Sequence, residues 1–199
     1  MTQTNSADTE TNAGADAATN ALEIRMATSD DVPRVLAVMD GIMEWLVSLG
    51  RTAQWGTQPW SESEALVDRV QGRVDRGELR VAATGDDEIA GVLSVSQQPG
   101  HYIQAAEEPE LFINLLATNR RFKGRDVGGL LIAEAKAEAA RRGLGLLRVD
   151  CFAGDDGRLK DWYASQGFTE VEPFTVRRDS GPDWPGMLFA MRVELPGVA

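Results

Sequence analysis

The chain has 199 residues, 43% of them hydrophobic and 26% charged, with a net charge of −11. That is long enough for one well-buried core and has the composition of a soluble globular protein rather than a disordered or membrane one. No apolar run approaches the roughly 20 residues of a spanning helix, Met1–Ala21 lacks the cationic start and apolar stretch of a secretory signal, and the acid excess repels nucleic acid and anionic membrane.

Residues 1–21 carry no Lys or Arg and no hydrophobic periodicity, and are expected to form a disordered tail preceding a single domain over 22–199. Leu22, Ile24 and Met26 alternate with polar neighbours like a half-buried strand. Ser29 or Asp30 can then cap a helix reaching Leu49, whose apolar stripe is Val32, Val35, Leu36, Met39, Ile42, Met43 and Leu46. Residues 50–60 hold Gly50, Gly56, Pro59, Trp55 and Trp60 and read as a loop; Ser61 or Ser63 opens a second helix ending near Gly77. Leu79–Thr84 and Ile89–Val95, split by Gly85, Asp86 and Asp87, form a predicted hairpin. Leu111–Thr118 is the next strand, followed by a basic cluster and a helical pattern from Val127 to Arg142 that Gly143 and Gly145 stop. A strand over Leu146–Cys151, a short helix over Gly157–Gln166, and a pair of strands over Thr169–Arg178 and Met187–Glu194 complete the chain. The order β-α-α-β-β-β-α-β-α-β-β predicts a mixed α/β fold, its sheet covered by helices on both faces.

The segment most informative about function runs from Leu116-Ala117-Thr118 through Asn119-Arg120-Arg121-Phe122-Lys123-Gly124-Arg125-Asp126-Val127 to Gly128-Gly129, from a strand end into a helix start. The first N–H groups of a helix have no internal partner and, with the helix dipole, favour a pyrophosphate. Gly124, Gly128 and Gly129 would let a ligand approach the backbone closely, and Arg120, Arg121, Lys123 and Arg125 supply positive charge to further phosphates in an otherwise acidic chain. Two commoner nucleotide motifs fail here. No Gly-Lys-Ser/Thr closes a P-loop, and the segment comes too late, after consecutive strands, for a dinucleotide fingerprint.

The stretch resembles motif A of the GCN5-related N-acetyltransferase (GNAT) superfamily, Gln/Arg-x-x-Gly-x-Gly/Ala after a strand ending like Leu116-Ala117-Thr118, with Lys123 in the first place and Gly128 in the last. Trp162-Tyr163-Ala164-Ser165-Gln166-Gly167-Phe168 resembles motif B. The likeness covers about residues 22–195. Two departures stand out: Asp126 replaces the central glycine of motif A, and Asp156 falls where an Asn is common seven residues before the tyrosine.

The resemblance implies a GNAT-like fold in which Leu111–Thr118 splays from Leu146–Cys151. It implies acetyl-CoA as co-substrate, held at Leu116, Thr118, Lys123, Gly124, Arg125, Val127, Gly128, Gly129 and Asp156. Its acetyl group would pass, by direct attack and without a metal, to a primary amine of a small molecule or peptide. The alternative is a weak or inactive sensor module that binds acyl-CoA, favoured by Asp126. A cytoplasmic protein is expected, with no nucleic-acid or membrane partner; a homodimer is compatible with the pattern. By similarity, Tyr163 is the acid for the leaving thiolate. Glu110 is the leading candidate base, ahead of Glu107, Glu108, His101 and Asp150. The lone Cys151 reads as a buried thiol rather than a nucleophile, and it excludes an intrachain disulfide. Trp45, Trp55, Trp60, Asp183 and Trp184 fall in the regions where such folds hold the acceptor, and would suit a cationic or amphipathic amine.

Overall fold

A computed structural model describes residues 21–154, 156–178 and 182–197. The tail expected over residues 1–21 lies, but for Ala21, outside them. Among these residues seven strands form one sheet in the order β1-β2-β3-β4-β5-β7-β6: β1 (Glu23–Met26), β2 (Leu79–Ala83), β3 (Ile89–Ser96), β4 (Leu111–Thr118), β5 (Leu146–Phe152), β6 (Thr169–Val176) and β7 (Trp184–Arg192). Among the described residues four α-helices accompany it: α1 (Val32–Ser48), α2 (Glu64–Asp75), α3 (Val127–Arg141) and α4 (Arg158–Ser165). Every predicted element is present, with ends shifted by no more than three residues. Among the described residues no helix is long and apolar enough to cross a membrane.

Side chains of successive strand residues point to opposite faces, and the core divides accordingly. Val92 packs with Val35, Leu36, Val70, Leu79 and Val81 beneath α1 and α2. Leu93 packs with Leu131, Ala135, Leu147 and Phe189 on the face covered by α3 and α4. Gly91 in β3 lets α3 settle close, because a Cβ there would stand 2.6 Å from Val127 Cγ1 and 2.9 Å from Leu131 Cδ1.

The entry into α1 differs from the predicted one. A 3-10 turn at Ser29–Asp31 precedes the helix, and the cap is Thr28, whose N–H donates to Asp31 Oδ2 at 2.8 Å. Asp31 is fully buried and receives Arg25 and Arg34 at 2.7 Å each. The Arg25 guanidinium holds its carboxyl well below the usual carboxylate range. A buried carboxylate needs such partners, and they fix where the turn begins. Met26, read as part of a buried face, is 43% exposed because it ends the edge strand.

The β4–β5 pair positions the site. All other neighbouring strands run antiparallel; these two are parallel, and their pairing is confined to Leu111–Ile113 with Leu147–Val149. Beyond Ile113 and Val149 the strands part. β4 also carries a bulge against β3, where Ser94 pairs with Leu115 and Val95 with Ile113, leaving Asn114 as the extra residue.

Candidate active site

The divergence opens a cavity of about 1070 Å³ between the C-terminal halves of β4 and β5. One end lies at the turn into α3. Asn119 shapes that turn by accepting the Arg121 N–H (3.0 Å) and donating to the Ile89 carbonyl (3.0 Å). Gly124 has φ +87°, a conformation that favours glycine. Asp126 takes the left-handed conformation too, with φ 50°.

Among the described residues, the N–H groups of Gly124, Asp126, Val127, Gly128 and Gly129 meet no acceptor. Asp126 therefore does not cap α3 with its side chain. Its carboxylate nevertheless lies over the first turn, where a Cβ on Gly129 would stand 2.5 Å from Oδ2. A Cβ on Gly128 would meet Trp162 Cζ2 at 2.7 Å. Gly128 is thus needed for packing as well as for an open backbone, whereas at Gly129 the neighbour is the end of the Asp126 side chain. Arg120 stacks 3.6 Å over the Trp45 ring at the cavity wall.

Of the residues expected to hold the co-substrate, Leu116, Thr118, Lys123, Gly124, Val127 and Gly128 line the cavity. Arg125, Gly129 and Asp156 do not. Arg125 lies over the Phe122 ring. Asp156 pairs with Arg51 at 2.7 Å and Arg158 at 3.2 Å, and accepts the Arg158 N–H at 3.3 Å. The hydrogen bond from Arg51 holds its carboxyl below the ordinary range.

The other end lies where β4 and β5 part. Asn114 fastens the 97–104 loop by donating to the Gln98 carbonyl at 3.1 Å, and that loop brings Gly100, His101 and Tyr102 to the cavity. The Tyr102 ring stacks on Phe174, which contacts Trp184, which contacts Phe152. Arg178 donates to the carbonyls of Ala53 and Gln54 at 2.8 and 3.1 Å, and Trp184 Nε1 to that of Gln54 at 3.2 Å. These bonds tie the last hairpin to the 50–60 loop and its Trp55–Trp60 pair. The four tryptophans expected here, Trp45, Trp55, Trp60 and Trp184, line the cavity, but Asp183 does not.

Tyr163 lines the cavity although only 4% exposed, wedged among Trp162, Phe168 and Phe189. Its hydroxyl meets no hydrogen-bonding partner among the described residues, and burial pushes its pKa well above the ordinary phenol value. Asp150, on β5 just past the last paired residue, is pushed up to about 6 by burial. It receives the Tyr102 hydroxyl, itself pushed up to about 12 by burial and by Asp150. The buried Cys151 thiol is raised to about 12, again by burial, and so stays protonated and unreactive.

Glu110 is not brought to the cavity. It is 3% exposed and bound by Arg148, with Nη2 2.6 Å from Oε1, and it accepts the Ala106 N–H at 2.9 Å. The carboxylate that faces the opening is Asp150, ranked lower in the sequence. Tyr102 was not singled out there, nor were Arg69 and Arg73, which also line this end. A signal for the arginines exists: two like charges four apart on one helix repel, and such a pair asks for a reason.

Comparison with known proteins completes the picture. The model of the acetyltransferase (GNAT) family matches residues 40–168. The uncharacterized N-acetyltransferase YesJ of Bacillus subtilis is 26% identical over 132 residues, covering 60% of this chain and 72% of that protein. Ribosomal-protein-alanine N-acetyltransferase of Brucella melitensis superposes with a TM-score of 0.64 at 22% identity, covering 86% of this chain and 99% of that one. YncA of Salmonella typhimurium, solved with its cofactor acetyl-CoA, gives 0.62 at 15% identity over 90% and 98% of the two chains. At such identities the structural likeness establishes the fold.

Proposed function

Because this chain belongs to the acetyltransferase (GNAT) family and is by that membership an acetyl-CoA-dependent acyltransferase, we propose that it transfers the acetyl group by direct attack to a primary amine of a small molecule or peptide, with Asp150 as base and Tyr163 as acid. The reading rests on the parting of β4 and β5, which leaves one cavity with open amides at one end and a raised carboxylate at the other.

The residues fit such a co-substrate. The unengaged N–H groups of Gly124 and Asp126 to Gly129, at the positive end of the α3 dipole, can take a pyrophosphate, with Lys123 adding charge. The β4 backbone beyond Ile113, without a partner on the β5 side, offers main-chain groups to the amides of a pantetheine arm. Acetyl-CoA supplies an activated acyl carbon.

Asp150, with a pKa near neutrality, accepts a proton from the attacking amine. A C–N bond forms and the C–S bond breaks. Tyr163, held protonated by burial, donates its proton to the departing sulfur. Main-chain N–H groups beside the cleft can stabilise the charge developing on the carbonyl oxygen. Each catalytic group then regains its starting state by exchange with solvent.

Thermal-shift titration with acetyl-CoA, followed by thiol release with a panel of amines, tests the reading. Stabilisation and amine-dependent thiol release are expected. Stabilisation with no release from any amine would mark a binding module instead.

A further inference from the structure

Two guanidinium groups at the acceptor end have no part in the transfer just described. Arg69 and Arg73 lie one turn apart on α2 and both line the cavity. Among the described residues neither has an ion pair or hydrogen bond, whereas Arg76, just beyond α2, pairs with Glu78 at 3.0 Å. Arg73 is half-buried, and its pKa is pushed down to about 10 by that burial and by Arg69. Both charges act on the phenol of Tyr102, whose hydroxyl bonds Asp150. The two cations and the proposed base therefore flank one phenol.

Holding the half-buried Arg73 guanidinium beside Arg69 is unfavourable, and the carboxylate that acts on it, Glu78, is already engaged by Arg76. The arrangement becomes favourable when a ligand brings the anion. The phosphates of the co-substrate are assigned to the far end, four residues along β4 from Asn114 to Thr118, or about 13 Å at the usual rise of a strand. The anion at this end must therefore come with the acceptor, whose amine must also reach Asp150.

We infer that the acceptor is a free α-amino acid with an apolar side chain, its carboxylate gripped by Arg69 and Arg73 while its amine faces Asp150. A guanidinium fork matches a carboxylate in shape and charge. Tyr102, Phe152 and Trp184 supply an apolar wall for the side chain, with Phe174 packed against two of them. In a peptide acceptor the carboxylate next to the reacting amine is an amide, so the pair of arginines selects the free amino acid. This inference rests on the acetyl-transfer reading above.

The test measures thiol release from acetyl-CoA with L-leucine, L-methionine and L-phenylalanine, each beside its carboxamide and its decarboxylated amine. The expected kcat/KM of each acid exceeds that of its carboxamide by about tenfold or more, the usual worth of a hydrogen bond to a charged group. In Arg69→Gln and Arg73→Gln that ratio should fall toward one, and Arg73→Lys, which keeps the charge, should retain part of it. The inference is overturned if carboxamides or plain amines react as well as the acids, or if the ratio survives both glutamine variants. Reaction of simple amines alone would overturn it while leaving the acetyl-transfer reading intact. No thiol release from any amine, together with no thermal shift by acetyl-CoA, would sink both.

Discussion

The Tyr102 hydroxyl lies 3.4 Å from Oδ2 of Asp150, beside the point where β4 and β5 separate. The bond is long and does little to offset the burial of the carboxylate, which is why Asp150 rises to about 6. A base with that pKa should give a rate that climbs as pH passes through 6 and then levels. Asp150→Asn should lose roughly 10²-fold in kcat and the acid limb of the profile with it.

The same shift has a consequence for stability, opposite in direction to that of a salt-bridged aspartate. Unfolded, Asp150 would titrate near 3.8; folded, it titrates near 6. The favourable contribution of holding the proton is complete below the lower value and lost as pH rises through the upper one. Asp150→Asn should therefore be more stable than the wild type at pH 8, by on the order of 3 kcal/mol, with the gap closing by pH 4. Chemical denaturation at the two pH values measures it.

Tyr163→Phe should separate chemistry from packing. The hydroxyl has no partner among the described residues, so its removal should change the melting temperature little. A lost proton donor should cost roughly 10²-fold in kcat, with acetyl-CoA affinity retained. An unaltered kcat would take Tyr163 out of the reaction.

Asp126→Gly should tighten acetyl-CoA binding. It removes a left-handed non-glycine residue, a conformation that costs most L-residues roughly 1–2 kcal/mol, and a negative charge lying over the open amides of α3. We expect a KM for acetyl-CoA lower by about threefold or more, together with a modest gain in melting temperature. Steady-state kinetics at varied acetyl-CoA would reveal a KM that failed to drop.

Glu110→Gln removes one charge of a buried pair and leaves Arg148 uncompensated. Such losses typically cost about 3–5 kcal/mol. Urea denaturation should register that penalty, while the pH dependence of the surviving activity keeps its inflection near 6, because the titrating group lies elsewhere.

Local pattern was enough to find the elements. Leu111–Thr118 is an apolar run broken inside only by Asn114, with no helical stripe, and Val127–Arg141 is an unbroken helical pattern closed by Gly143, so both could be placed to within a residue. The choice between Glu110 and Asp150 could not be made that way. It depends on the register Phe112↔Arg148, which sets Arg148 diagonally across from Glu110, and on pairing that stops at Val149, one residue short of Asp150. Both are long-range facts. Asp156 likewise reads as a site residue by its spacing, yet Arg51, 105 residues away, claims its carboxylate. The glycine-rich turn was legible because its chemistry is carried by main chain, which depends on backbone conformation more than on distant partners.

Three residue pairs join β4 to β5, whereas β5 and β7 share seven. Mechanically the sheet is two panels on a short seam, residues 23–118 forming one and 146–192 the other. A molecule lying along the gap would stitch the panels together, replacing the missing rungs with its own amides. Its departure would leave the outer rungs of the seam as the place where the protein breathes first.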